Sequence, residues 1–78
     1  MTLQLEFTVE PFVEGTPGPH VQAAVGAAEA AGLTVEFGPF GTAVSGDDES
    51  VLGAIEPIVQ AAIGAGATRV SLQLARPD

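Results

Sequence analysis

The chain has 78 residues, with two Arg, no Lys and ten Asp plus Glu, for a formal net charge of −8 at pH 7 and a sequence pI near 4.1. That length fits one domain over residues 1–78 with a thin core, and the acidity argues against nucleic acid and anionic membrane surfaces as partners. The absence of Cys excludes disulfides, thiolate metal sites and thiol catalysis.

Leu3, Leu5, Phe7 and Val9 alternate with Gln4, Glu6, Thr8 and Glu10, the pattern of a half-buried strand. Pro11 ends it, and Gly15-Thr16-Pro17-Gly18-Pro19 is a loop whose last proline suits a first helical turn. A helix is predicted from about Pro19 to Ala31, with Val21, Ala24, Val25, Ala28 and Ala31 on one face and Gly32 placed to cap it. Leu33, Val35 and Phe37 then alternate with Thr34 and Glu36 in a second strand. Gly38-Pro39 turns the chain into a third strand, about Phe40 to Ser45, completing a hairpin.

Gly46-Asp47-Asp48-Glu49 reads as a helix start, with Asp47 accepting from orphan N–H groups and the next two carboxylates favoured by the macrodipole. Three adjacent acids without ligands elsewhere do not make a chelating loop, so no metal is expected. The second helix carries Val51, Leu52, Ile55, Ile58, Val59, Ala62 and Ile63 as a broad apolar stripe and ends at Gly64-Ala65-Gly66. Pro57 falls inside it and predicts a bend, since its ring opposes the carbonyl of Gly53. Val70, Leu72 and Leu74 alternate with Arg69, Ser71, Gln73 and Ala75 in a last strand.

The order is β-α-β-β-α-β, and Val21-Gln22-Ala23-Ala24-Val25-Gly26-Ala27 recurs as Val59-Gln60-Ala61-Ala62-Ile63-Gly64-Ala65, so each half is one β-α-β unit. Two such units interleave as an α+β ferredoxin-like βαββαβ plait. Its four-stranded antiparallel sheet has order 4-1-3-2 and carries both helices on one face. The other face would show Gln4, Glu6, Thr8, Glu10, Thr34, Glu36, Arg69, Ser71 and Gln73.

RNA-binding plaits stack bases on exposed strand aromatics amid basic residues, whereas this face has carboxylates and no aromatic in its central strands, which again speaks against nucleic acid. Pairing with another copy is the expected use of it, with both arginines available to acids on the neighbour. A solvated face is the alternative. His20, the only imidazole, is expected to be an ordinary surface side chain at a helix start. The loop from Pro11 to Pro19 holds neither the arginine that an acylphosphatase-like plait needs nor the cysteines of a copper chaperone. No nucleophile or paired carboxylate is marked by spacing, so catalysis has little to stand on and no enzyme is expected. Phe12 and Phe40 stand at strand ends beside proline, where each either closes the core or offers a surface on which a flat ring can stack. With no basic leader after Met1 and no long apolar run, the expected location is the cytoplasm.

Gly38-Pro39-Phe40-Gly41-Thr42, the acidic turn Gly46-Asp47-Asp48, the apolar helix, and Gly64-Ala65-Gly66-Ala67-Thr68-Arg69-Val70 resemble, in order and spacing, the small thiamine-binding protein family. That family usually shows Pro-Met-Gly-Thr, a Gly- and Glu-rich turn, and a helix ending Ala-Gly-Ala-x-Arg-Val. The resemblance implies a plait assembled as dimers and tetramers, a dimer of dimers, that binds thiamine or its hydroxymethylpyrimidine moiety at subunit boundaries without catalysis and without a further cofactor. Carried over, it places Gly41 and Thr42 in the ligand-lining turn and puts Phe40 where Met is common. The Thr42 hydroxyl is then expected to hydrogen-bond the pyrimidine. The ending Leu74-Ala75-Arg76-Pro77-Asp78 and the helical Pro57 depart from the pattern. Thiamine is a cation with two flat rings, so an acidic domain suits it, with Glu10 and Glu36 as the nearest carboxylates and Phe12 and Phe40 as stacking rings. A structural or regulatory oligomerisation module without a small-molecule ligand is the competing reading.

Overall fold

The computed structural model describes residues 2–11, 18–38 and 41–77. Its elements run β1 (Thr2–Glu10), α1 (Pro19–Ala30), β2 (Thr34–Gly38), β3 (Gly41–Asp47), α2 (Asp48–Gly64) and β4 (Arg69–Ala75). All strand pairs are antiparallel and the sheet order is β2-β3-β1-β4, which is the interleaved plait expected from the two β-α-β halves. Phe12 and Phe40 lie outside the described residues.

The strict alternation of β1 has its structural counterpart in Leu3, Leu5, Phe7 and Val9, all buried beneath the helices. Both helices lie on this face, packed against each other, α1 over β2 and α2 over β1, β3 and β4. Ala24 and Ala28 of α1 and Ala54 and Ala62 of α2 are fully buried. Small side chains at these positions let the helices approach closely, and the larger Leu5, Phe7, Val44, Val51 and Ile58 fill the space down to the sheet. Residues Ala24 and Ala62 occupy matching places in the repeated segment, so the echo in the sequence is an echo in packing.

The ends of the helices follow from local chemistry. Gly32 adopts φ 80°, the left-handed conformation that closes α1 without a Cβ penalty. Asp47 caps α2, its carboxylate accepting from the Ser50 amide at 3.1 Å and from the Ser50 hydroxyl at 2.7 Å. These two bonds, the hydroxyl's first, hold the Asp47 carboxyl below its ordinary value of 3.8. Helix α2 runs unbroken through Pro57. Both Pro57 and Gly53 are exposed, so the Gly53 carbonyl that loses its helical partner can bond water instead.

Four expectations are corrected. His20 is buried, and its Nε2 donates to the Pro11 carbonyl at 2.6 Å. The imidazole folds back over Gly18, where a Cβ would come within 2.7 Å of its Cε1 atom, so glycine at this position leaves room for the ring. Ala31 is exposed, because α1 has already ended. Two of the apolar residues of β4 are not core: Val70 is half-buried against it, but Leu72 and Leu74, on the helix side, are exposed, since β4 is an edge strand. Finally, the arginines meet acids of their own chain, Arg69 with Glu10 at 3.9 Å and Arg76 with Asp48 at 3.1 Å.

Candidate functional site

The open face of the sheet is where side chains remain available. Strand register sets its layout, because directly paired residues point to the same side. Glu36 of β2 pairs with Ala43 of β3, Ala43 with Glu6 of β1, and Glu6 with Gln73 of β4, so these four form one row across the uncovered face. Thr8 and Ser71 pair in the next row of the same face. At a strand spacing of about 4.8 Å, the backbones of Glu6 and Glu36 stand roughly 10 Å apart with the small Ala43 between them.

A cavity of about 430 Å³ lies over this region, bordered by Glu6, Thr8, Glu36, Gly41, Ala43, Ser71 and Gln73. The volume falls within the range of small-molecule sites. Its floor is low for a physical reason. A Cβ on Gly41 would meet the Phe7 carbonyl oxygen at 2.8 Å and the Thr8 Cγ2 atom at 3.0 Å, so only glycine permits β3 to lie this close to β1. Gly41 and Ala43 thus leave a depression that the two carboxylates flank.

Of the residues that sequence reasoning placed in a site, Glu36, Gly41 and Thr42 come together at this cavity. Thr42 belongs to the row Phe37, Thr42, Phe7, Leu72, which faces the helices, and it is only 6% exposed. It therefore borders the cavity through its backbone. Glu10 sits farther along β1, outside the lining, paired with Arg69 and with its carbonyl accepting from the Thr68 amide at 2.8 Å.

Three contributors escaped the sequence reading. Glu6 and Gln73 were visible as open-face residues, but only the register puts them beside Glu36. Phe37, which alternation puts on the helix side with Leu33 and Val35, is 66% exposed there at the edge of the sheet, behind the β2 border of the cavity. It is the exposed aromatic ring among the described residues, since Phe7 is buried. The signal that could have found it is position: an apolar residue near the end of a five-residue edge strand has a neighbour on one side only.

Among the described residues no group of three or more His, Cys, Asp or Glu could hold a metal ion, and no helix is long and apolar enough to cross a membrane. Neither arginine borders the cavity, so its charged side chains are both acidic.

A family model for thiamine-binding proteins matches residues 5–76. No curated protein matches the sequence. Among solved structures, the chain is similar to a candidate thiamine biosynthesis/salvage protein from Thermotoga maritima, with 25% identity, a TM-score of 0.68, and coverage of 96% of this chain and 81% of that one. It is also similar to a domain of unknown function from Bacillus cereus (23% identity, TM-score 0.67, 99% and 78% coverage). A hypothetical protein from Methanocaldococcus jannaschii gives 23% identity, TM-score 0.69, and 99% and 82% coverage.

Proposed function

From the premise that this chain belongs to the thiamine-binding protein family, we propose that it binds thiamine or the free hydroxymethylpyrimidine, without catalysing a reaction on it, as a homo-oligomer in the cytoplasm. The observation that carries the choice of ligand is the cavity over Gly41 and Ala43 with Glu6 and Glu36 on either side. A flat ring fits over a floor of small residues, and a thiazolium cation is attracted by two carboxylates across a short gap. Thr42 takes part through its main chain, and Gln73 supplies a neutral donor and acceptor. Phe12 and Phe40, outside the described residues, remain part of the proposal as the stacking rings that the sequence offers.

The same charges select against phosphate. A diphosphate group calls for arginine or lysine donors, and this cavity has neither. Both arginines of the chain already face acids elsewhere. Thiamine therefore binds more tightly than thiamine diphosphate. Assembly as a dimer of dimers is supported by the sheet face that the chain's own helices leave bare, and it would place the ligand near a subunit boundary. Isothermal calorimetry with thiamine, hydroxymethylpyrimidine and thiamine diphosphate tests the reading. Heat from the first two and little from the third is the expected result. A diphosphate that binds tenfold more tightly than thiamine, about 1.4 kcal/mol, overturns the electrostatic account, and no heat from any of them overturns the binding function.

A further inference from the structure

The row across the open face is ordered Glu36, Ala43, Glu6, Gln73, one residue from each of β2, β3, β1 and β4. Among the described residues its polar side chains are unengaged. Glu10, Asp47, Asp48 and Glu56 each accept from a neighbour or face an arginine, whereas Glu6, Glu36 and Gln73 make no ion pair or side-chain hydrogen bond. Ala43 is half-buried and offers only a methyl group. The space above it is therefore walled on one side by the β2 carboxylate alone, and on the other by the β1 carboxylate with the β4 amide beside it.

Hydrogen-bonding capacity distinguishes the two walls. An ionised glutamate only accepts, whereas a glutamine both donates and accepts. A flat ring that fills this space therefore needs a donor at the end that faces Glu36, and at the other end a donor for Glu6 next to an acceptor for Gln73. A protonated 4-aminopyrimidine has that pattern. Its N1–H lies directly opposite the 4-amino group, and the amino group stands next to N3, which accepts. The spacing agrees, since the roughly 10 Å between the backbones of Glu36 and Glu6 holds a six-membered ring with a hydrogen bond of about 2.8 Å at each end. A neutral ring would instead set the N1 lone pair against the Glu36 carboxylate.

We propose that the cavity takes its pyrimidine as a cation, an inference that rests on the reading of this cavity as the site for thiamine and hydroxymethylpyrimidine. The ring binds over Ala43 with a protonated N1 donating to Glu36, its amino group donating to Glu6 and its N3 accepting from Gln73. The ligand class is then the 4-aminopyrimidines basic enough to take a proton. Free in water, such a ring is protonated only in mildly acidic solution. An opposite charge at contact distance raises the pKa of a base by about 1–3 units, so binding near neutrality draws one proton from solvent onto N1. The surrounding groups supply no other uptake. Among the described residues, β1 contributes Glu6 and β2 contributes Glu36 to the lining, while β3 and β4 contribute no titratable group. A cation beside a carboxylate favours loss of its proton, which is the opposite sign. Arg69 lies outside the lining against Glu10, and His20 donates to the Pro11 carbonyl away from this face. Because only the pyrimidine is read, thiamine and hydroxymethylpyrimidine both bind, although the second carries no fixed charge.

Calorimetry of the full chain with thiamine at about pH 6, in buffers of low and high ionisation heat, counts the protons exchanged on binding. Uptake of about half a proton or more per thiamine is expected, with affinity rising several-fold from about pH 7.5 to about pH 6. Hydroxymethylpyrimidine is expected to show the same uptake. The 4-oxo analogue of thiamine, whose ring is not basic, is expected to bind at least tenfold more weakly and without uptake. Glu36→Gln is expected to weaken thiamine binding and remove most of the uptake, whereas Glu6→Gln weakens binding and keeps the uptake, with circular dichroism confirming that both variants are folded. The proton count on the unmodified protein decides independently of either variant. Thiamine that binds without proton uptake, and equally at both pH values, overturns the proposal and leaves the binding function standing. So does a 4-oxo analogue that binds as tightly as thiamine, or a folded Glu36→Gln that takes up as many protons as the wild type. No heat from thiamine or hydroxymethylpyrimidine at any pH is the separate failure of the binding reading itself, and overturns both.

Discussion

In the proposed site Glu6 and Glu36 act through charge, and single substitutions separate the residues on the open face from those behind it. Glu6→Gln and Glu36→Gln keep the shape of the side chain and remove its charge. Each is expected to weaken thiamine binding several-fold at low salt, with the effect shrinking at high salt, when calorimetry is run in about 10 mM and 500 mM NaCl. Phe37→Ala is expected to leave thiamine affinity within about twofold and barely move the melting temperature, because the ring stands on the helix side of the sheet and is largely in solvent. His20→Ala should act on stability instead. It removes a buried ring that donates to the Pro11 carbonyl at 2.6 Å, and urea unfolding is expected to show a loss of about 1–3 kcal/mol with thiamine affinity unchanged.

At the level of elements, α2 holds one supporting and one opposing residue, and both are testable. Asp47 has a folded-state pKa below 3.8, so its cap contributes stability that is complete above that pH and is lost as the pH falls through the lower folded value. The melting-temperature gap between wild type and Asp47→Ala should therefore be full at pH 7 and narrow below pH 3.8. Asp47→Asn keeps a neutral acceptor for Ser50 but no charge, so its melting temperature at neutral pH should fall between those of the wild type and Asp47→Ala. A gap that persists undiminished to pH 2 would show that the carboxylate is not what matters. Pro57 sits at an exposed mid-helix position, where it lacks an N–H and crowds Gly53. Pro57→Ala is expected to raise stability by about 1–3 kcal/mol in urea unfolding.

Across the whole molecule, charge balance sets the response to salt. The longest dimension is 33 Å, and the Debye length is about 30 Å at 10 mM salt against about 8 Å at 150 mM. At low salt, then, most of the ten carboxylic residues repel one another, with only two arginines to offset them. Raising NaCl from about 10 to 150 mM is expected to raise the melting temperature while weakening thiamine binding, two opposite trends from one cause. A melting temperature that falls with salt would mean that the two ion pairs outweigh the general repulsion, contrary to the small contribution expected of exposed pairs.

The plait, its strand order, the capping of α1 at Gly32 and of α2 at Asp47, and the buried face of β1 could be read from the sequence, because each depends on periodicity or on chemistry within a few residues. So could the acidity that disfavours phosphate. What alternation could not supply is how far each row is covered. Leu72, Leu74 and Phe37 alternate as Leu5 and Phe7 do, yet they remain exposed because β4 and β2 are edges and the two helices are too narrow to roof four strands. Register, likewise, is a long-range property: Glu6 and Glu36 are thirty positions apart and become the two sides of one cavity only when β3 lies between their strands, with Gly41 letting it approach. His20 was misread for the same reason, since its partner is a carbonyl in the preceding loop and not in its own helix. Local preferences are written along the chain, whereas burial and cross-strand neighbours depend on which segments the fold brings together.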